Sequence, residues 1–182
     1  MSLLRIIPTG SSEKKSLKKL INYVLDPAKH VDSNGSDIPA NLLIGGWGVD
    51  LQNPYSSLLL PHIVFGYPGK RLFYHTLLDF TAENFPVAPL SASSVSEQIC
   101  KFLIDYEVQY IFGVHTLKGN LLNPLFWSHC HVIVNAIQVS TGKKFHLGKK
   151  ILWEWKKFMN EILKKFNLDI IPVYNEKKIS NN

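Results

Sequence analysis

Residues 110–140, YIFGVHTLKGNLLNPLFWSHCHVIVNAIQVS, decide the fold of this chain, because they place three histidines on two apolar runs. The first run leads into His115, and the second begins at His129 and continues through His131. Side chains alternate between the two faces of a β-strand, so His129 and His131 share one face and Cys130 lies on the other. An antiparallel partner strand that ends at His115 would bring a third imidazole beside them.

Three convergent imidazoles would form a metal site with open positions for a substrate. Histidines on apolar strands are also common as structural residues, so the spacing alone leaves both interpretations open. Two features favour the metal site. Polar side chains at the start of an apolar strand are costly without a partner, and residues 117–128, between the two strands, carry the Gly-Asn and Asn-Pro punctuation of a loop.

Length and composition indicate one globular domain. Hydrophobic residues make up 46% of the 182 residues, an ordinary share. Residues 1–175 are predicted to form the domain, and residues 176–182 a polar tail. No apolar run approaches the roughly 20 residues that span a bilayer, and the N-terminus indicates a strand and not a signal peptide. Two cysteines make no disulfide framework, so a reduced cytoplasm is expected.

The chain is basic, with a formal net charge of +6 and a pI near 9.2, and many of its lysines come in pairs. Paired lysines are typical of solvated helix faces. A basic chain with 12% aromatic residues is also typical of nucleic-acid binders. Composition therefore leaves both interpretations open.

Hydrophobic periodicity predicts an α+β fold, in which a central antiparallel sheet of about five strands is flanked by helices. The prediction rests on alternating strands and helices in the order β-α-β-(α)-β-α-β-β-α. Strands are predicted at residues 3–8, 41–44 and 71–80 and at the two histidine runs, and helices at residues 13–25, 54–60, 93–106 and 147–166. Pro27 is expected to end the first helix and Pro61 to interrupt the second.

Tyr23 lies in the last turn of the first predicted helix, next to its apolar stripe. A tyrosine in that position is commonly a boundary residue with a buried ring and a solvated hydroxyl group. It is also a candidate nucleophile held at a helix end. The sequence pattern alone does not decide between these two roles.

Five segments together resemble the relaxase/mobilisation nuclease family, the MobA/MobL-like branch of the HUH endonucleases. The resemblance covers nearly the whole chain. Each segment is weakly specific alone, but all five occur in the family's order. They are LINYVLDPAK at 20–29, FYHTLLDF at 73–80 followed by Glu83, GVHT at 113–116, HCHVIVN at 129–135 and TGKKFH at 141–146. The resemblance implies an HUH-endonuclease, relaxase-like palm over residues 1–175.

The resemblance implies an activity for this domain. Relaxases nick one DNA strand at an origin of transfer by metal-assisted tyrosine attack, which leaves a 5′-phosphotyrosine intermediate for conjugative mobilisation of a plasmid or integrative element. Tyr23 matches the nucleophile, and His115, His129 and His131 match the metal ligands. The family usually uses Mg²⁺ or Mn²⁺, while imidazole donors would also suit Zn²⁺. A phenol, with a free pKa near 10, needs activation to attack a phosphate.

The chain departs from the family pattern after the first histidine. Family members commonly have Thr-Asp there, whereas Leu117 follows the threonine in this chain. Acidic neighbours orient the histidines that bind a metal, and His75, Asp79 or Glu83 could take that role. The insert at residues 121–127 is apolar and aromatic, and it could stack on bases or pack at the edge of the core.

The resemblance also implies partners. Single-stranded origin-of-transfer DNA, with an adjacent hairpin, is the expected substrate, and accessory mobilisation proteins and a coupling protein are further expected partners. No membrane insertion is expected, and the expected compartment is the bacterial cytoplasm. Basic groups would contact phosphates, which position DNA but do not read its sequence. The candidates are Lys14, Lys18, Lys29, Lys143, Lys144 and His146.

Three other functions stay open at this stage. A rolling-circle replication initiator shares the histidines and the tyrosine chemistry, but it usually places the tyrosine after the histidines. A relaxase-like module could hold origin DNA without cutting it, given the missing aspartate. A metal-dependent hydrolase of another class would make the basic charge incidental. A covalent protein–DNA adduct separates the two tyrosine enzymes from the other two classes.

Overall fold

The computed structural model describes residues 3–7, 13–30, 36–66, 71–80, 88–117 and 127–168. Its strands and α-helices follow one another as the sequence predicts, with three short 3₁₀ helices at Pro27–Lys29, Ala40–Leu42 and Lys101–Tyr106. In chain order they are β1 (Leu3–Ile7), α1 (Lys14–Val24), β2 (Ile44–Trp47), α2 (Pro54–Val64), β3 (Phe73–Asp79), α3 (Pro89–Cys100), β4 (Val108–Leu117), β5 (Trp127–Gln138) and α4 (Lys149–Lys165).

The five strands form one antiparallel sheet in the order β1-β3-β5-β4-β2. The two histidine strands are adjacent, and their register sets His115 opposite His129 and Gly113 opposite His131. On its other side β5 pairs with β3, where Leu77 lies opposite His131. The predicted α+β fold with a central antiparallel sheet is therefore confirmed.

Helices cover both faces of the sheet. Helices α3 and α4 pack on one face over the larger core, which includes Tyr74, Cys130 and Trp155, and the Trp155 indole donates a hydrogen bond to the Ile99 carbonyl at 2.9 Å. Helices α1 and α2 pack on the other face over a smaller core that includes Phe73. The predicted alternation along β5 is confirmed, because Cys130 lies in the larger core and His131 faces α1.

Helix α2 continues past Pro61 to Val64, so the predicted interruption at Pro61 is wrong. A proline lacks the N–H that would bond the carbonyl four residues earlier, which here belongs to Ser57. The side chain of Gln109 supplies the missing donor, because its Nε2 donates to the Ser57 carbonyl at 3.3 Å. The helix tolerates the proline because a neighbouring strand satisfies the orphaned carbonyl.

Two other predicted boundaries move. Strand β2 begins at Ile44 and continues through Gly45 to Trp47, and the absence of a side chain at Gly45 leaves room for the Phe112 ring on β4. Helix α3 begins at Pro89, a residue well suited to the first turn, and ends at Cys100, where a 3₁₀ helix follows. The sequence also predicts a short extended piece at residues 168–174, and all of it after residue 168 lies outside the described residues.

A buried polar network ties α2 to the centre of the sheet. The Asn135 amide donates to the Leu58 carbonyl at 2.9 Å and to Gln109 Oε1 at 2.8 Å. Its Oδ1 lies 2.7 Å from Nε2 of His62, which acts as the donor. Asn135 and His62 therefore have a structural role, and the sequence pattern gave His62 none.

Replacing Gln109 by Leu is expected to lower the free energy of unfolding by about 1–3 kcal/mol for each polar group left unpaired. The Ser57 carbonyl and one N–H of Asn135 would lose their partner. Urea denaturation measures the effect, with exposed Gln52→Leu as the control. Adding Pro61→Ala should restore part of the loss, since it supplies an N–H for Ser57. A change within about 0.5 kcal/mol for Gln109→Leu would contradict the role of the network.

Candidate metal site and nucleophile

Three histidines converge at the edge of the sheet where β4 ends and β5 begins. His115, His129 and His131 each offer one ring nitrogen, and these nitrogens all lie within 4.8 Å of one another. The ring centroid of His131 lies 4.8 Å from that of His115 and 4.9 Å from that of His129. The sequence predicted this convergence from the alternation of strand side chains, and the cross-strand register produces it.

The donor atoms of this cluster are buried and lack partners within the described residues. The side chains are 2%, 8% and 6% exposed for His115, His129 and His131. Each ring has one buried nitrogen without a hydrogen-bond partner: Nδ1 of His115, Nδ1 of His129 and Nε2 of His131. Burying unpaired polar atoms is costly, and a divalent ion would serve all three nitrogens at once. The residues present therefore fit a metal ion bound through imidazole.

Burial keeps the three imidazoles uncharged at neutral pH. Loss of solvation lowers the pKa of His115 to about 4 and that of His129 to about 4. Burial, followed by the neighbouring His129, lowers the pKa of His131 to about 2. Neutral imidazole is the form that binds metals, so the cluster is ready to bind an ion without first losing protons.

Two hydrogen bonds orient rings of the histidine cluster. Nε2 of His115 donates to the Val24 carbonyl at 3.0 Å, which leaves Nδ1 for a ligand. Nδ1 of His131 lies 2.9 Å from Nε2 of His75, which leaves Nε2 of His131 for a ligand. His75 thus lies where an orienting partner is required. Asp79 is the cross-strand neighbour of His129, and Glu83 lies outside the described residues.

Tyr23 lies directly over the cluster. Its ring centroid is 5.1 Å from those of both His115 and His131, with the rings in edge-on contact. The side chain is 42% exposed, so solvent and a DNA strand can reach it. Helix α1 therefore brings the candidate nucleophile and the candidate metal ligands together, although 91 positions separate Val24 from His115 in sequence.

The close approach of α1 to the sheet depends on Gly113. A Cβ atom at this position would collide with the Val24 carbonyl, the same group that accepts the His115 hydrogen bond. Gly113 lies on β4 two residues before His115, on the same face. A glycine here lets the last turn of α1 rest on the strand, so Tyr23 reaches the histidines.

The candidate DNA contacts fall into two groups. Lys29 belongs to the site, since its Nζ lies 4.7 Å from the centroid of the Tyr23 ring, and Lys14 and Lys18 are exposed along α1. Lys143, Lys144 and His146 follow the other end of β5, where Lys144 pairs with Ile137. Ile137 lies six positions after His131 along the strand, or about 20 Å away. The structure does not bring that turn to the histidine cluster.

His30 is a neighbour of the site to which the sequence pattern gave no role. It is 0% exposed, and its ring centroid lies 6.0 Å from that of His115. Neither of its ring nitrogens has a hydrogen-bond partner in the described part of the chain. Its position directly after Lys29, in the segment that follows the candidate nucleophile, is the sequence signal that could have indicated it.

Comparison with known families identifies the chain. Residues 49–168 match the model of the family described as relaxase, MobA/VirD2-like, nuclease domain. The match spans 120 of the 182 residues (168 − 49 + 1) and contains all three clustered histidines. The chain therefore belongs to the relaxase family. Tyr23 and Lys29 precede the matched segment. Comparisons with curated proteins and with solved structures gave no match.

Among the helices of the described ranges, none combines the length and the apolar character needed to cross a bilayer.

Replacing Gly113 by Ala is expected to push the end of α1 away from β4 and to weaken the His115–Val24 hydrogen bond. Overpacking of this kind costs about 1–3 kcal/mol of stability, and a disturbed orienting partner lowers metal affinity about 10- to 100-fold. Urea denaturation and calorimetric titration with Mn²⁺ measure the two effects. Gly148→Ala is the control, because the added Cβ there meets only the exposed, movable side chain of His146. Unchanged Mn²⁺ affinity in Gly113→Ala would refute this role.

Acidification is expected to unfold the metal-free protein well above the pH at which its carboxyl groups titrate. Burial lowers the pKa of six of the seven histidines, His30, His62, His75, His115, His129 and His131. The unfolded chain therefore binds more protons than the folded chain below pH 6.5. Stability is fully present above pH 6.5 and falls as the pH drops from 6.5 to about 4.

The size of this effect is measurable. One histidine whose pKa falls from 6.5 to about 4 on folding removes on the order of 3 kcal/mol across that range. Urea denaturation at several pH values, with a chelator present, should show the midpoint decreasing steeply below about pH 6.5. The His146→Ala variant should show the same profile as the wild type, since that residue is exposed. A midpoint that stays constant down to about pH 4.5 would contradict the prediction.

Proposed function

We propose that this protein is a DNA relaxase that nicks one strand at an origin of transfer, with Tyr23 as its nucleophile. The observation that carries the proposal is the edge-on contact of the Tyr23 ring with both His115 and His131. Membership of the relaxase nuclease family supports a nuclease activity. A tyrosine that only marked a helix end would need neither three imidazoles beneath it, each with one unpaired nitrogen, nor a glycine that lets the helix approach the strand.

The proposed reaction is a transesterification. The Tyr23 oxygen attacks the scissile phosphorus, and an O–P bond forms as the bond from phosphorus to the 3′ oxygen breaks. The phenol proton passes to solvent and the departing 3′ oxygen takes up a proton, so the products are a 5′-phosphotyrosine and a free 3′ hydroxyl. The 5′-phosphotyrosine bond keeps the energy of the broken phosphodiester, so the reaction can be reversed to rejoin the DNA ends.

His115, His129 and His131 would hold the divalent ion. When bound, the ion would offset negative charge on the scissile phosphate. Relaxases usually use Mg²⁺ or Mn²⁺, and a donor set made only of imidazoles also suits Zn²⁺. The protein keeps the three rings neutral, oriented and sheltered from water. His75 contributes by orienting the ring of His131 through a hydrogen bond.

The proposed substrate is single-stranded origin DNA with an adjacent hairpin. Lys14 and Lys18 are exposed on α1, which carries Tyr23 in its last turn, so phosphates on either side of the nick could follow α1 toward the cluster. Lys143, Lys144 and His146 would contact a more distant part of the DNA. The proposed process is mobilisation of a plasmid or integrative element in the bacterial cytoplasm, with accessory mobilisation proteins and a coupling protein as partners.

One test joins the tyrosine and the metal. Labelled single-stranded origin DNA is incubated with Mn²⁺ or Mg²⁺ and resolved on a denaturing gel. The wild type is expected to form a covalent adduct that a chelator abolishes. Tyr23→Phe is expected to form at least about 100-fold less adduct, since the nucleophile itself is removed.

Tyr55→Phe is the matched control and should form the adduct at the wild-type level, since Tyr55 lies on α2 and packs against the smaller core. An adduct that survives in Tyr23→Phe would move the nucleophile elsewhere and favour a rolling-circle initiator. Salt-dependent binding without any adduct would favour a module that holds DNA without cutting it.

A further inference from the structure

Lys29 is bent back over the nucleophile by a short turn. The Asp26 side chain accepts a hydrogen bond from the Ala28 N–H at 3.1 Å and caps the 3₁₀ helix Pro27–Lys29. The Lys29 N–H then bonds the Asp26 carbonyl at 3.1 Å. This turn reverses the chain after α1, so the Lys29 ammonium lies 4.7 Å from the Tyr23 ring centroid.

The charge of Lys29 lies close to the histidine cluster. Its ammonium is 4.7 Å from the centroid of the Tyr23 ring, and that centroid is 5.1 Å from those of both His115 and His131. The lysine side chain is half-buried. A fixed cation this close to a metal site repels the ion that the site would bind. That arrangement is favourable only when an anion lies between the two positive charges.

We propose that Lys29 is a positioning residue that holds the Tyr23 ring over the histidine cluster and binds the scissile phosphate opposite the metal ion. The inference rests on the proposed function, because it assigns the anion between the two charges to the DNA phosphate. In the free protein the contact with the ring restrains the nucleophile. In the complex the ammonium offsets charge that gathers on the phosphate during attack, where a fixed donor is worth more than in water.

The alternative for Lys29 is a contact with a phosphate outside the scissile position. The two roles differ in what they change. A remote phosphate contact contributes to affinity for every sequence and to its salt dependence, but not to the chemical step. A residue that positions the nucleophile and the scissile phosphate changes the rate of attack after the DNA is bound.

The test compares Lys29→Met and Lys29→Arg with Lys18→Met and Lys101→Met. Single-turnover adduct formation is measured at saturating DNA, and dissociation constants are measured separately in the Tyr23→Phe background. Lys29→Met is expected to slow adduct formation about 10- to 100-fold, whereas Lys29→Arg, which keeps the charge and the ring contact, stays within about 3-fold. Lys18→Met should weaken binding without slowing the step, and Lys101→Met, on the face covered by α3, should change neither.

A second readout does not depend on cleavage. Protein labelled with 3-fluorotyrosine gives a ¹⁹F resonance for Tyr23, which is assigned by its loss in Tyr23→Phe. Lys29→Met is expected to shift and sharpen that resonance in the absence of DNA, and Lys29→Arg to restore it. A wild-type protein that forms no adduct would overturn the proposed function, while the ¹⁹F comparison still tests the ring contact. An unchanged ¹⁹F resonance and an unchanged single-turnover rate in Lys29→Met would overturn the inference.

Discussion

The candidate site depends on one contact between distant parts of the chain, the docking of the last turn of α1 on β4. The Val24 carbonyl accepts the His115 hydrogen bond and lies where a Cβ of Gly113 would be. The same contact therefore orients a candidate metal ligand and positions the candidate nucleophile. Because the bonded carbonyl belongs to the residue after Tyr23, any shift of the helix end moves both groups. The position of Tyr23 relative to the histidine cluster is thus set by main-chain packing and not by flexible side chains.

The sequence predicted what strand geometry dictates. Alternation along β5 put His129 and His131 on one face and Cys130 on the other. Antiparallel pairing with β4 then placed His115 opposite His129. The helix position of Tyr23 left two roles open, and only the resemblance to a family favoured the nucleophile, because the docking of α1 rests on a glycine far along the chain. The helix that passes Pro61 could not be predicted either, since its spare carbonyl is satisfied by Gln109 from another element. Predictions failed or stayed open wherever a tertiary contact replaced a local rule.

The missing acidic residue after Thr116 changes the electrostatics of the site more than its geometry. His75 lies within hydrogen-bond distance of His131 and orients its ring, as a carboxylate would. Burial lowers the pKa of His75 to about 4, so this partner is neutral at pH 7. An imidazole therefore orients the His131 ring without adding negative charge. The histidine cluster therefore has an orienting partner but less compensation for the positive charge of a bound ion than a carboxylate would give.

That shortage of negative charge has a consequence for substrate binding under the proposed function. A divalent ion held by three neutral rings beside Lys29 makes the site strongly cationic, and an anionic phosphate is the natural compensation for it. Ion and DNA would then each raise the affinity of the site for the other, since coupling between two ligands is reciprocal. The neutral His75 strengthens that coupling, because a carboxylate in its place would have neutralised part of the charge before DNA arrived. A site built in this way reaches its full charge balance only when the ion and the strand are both present.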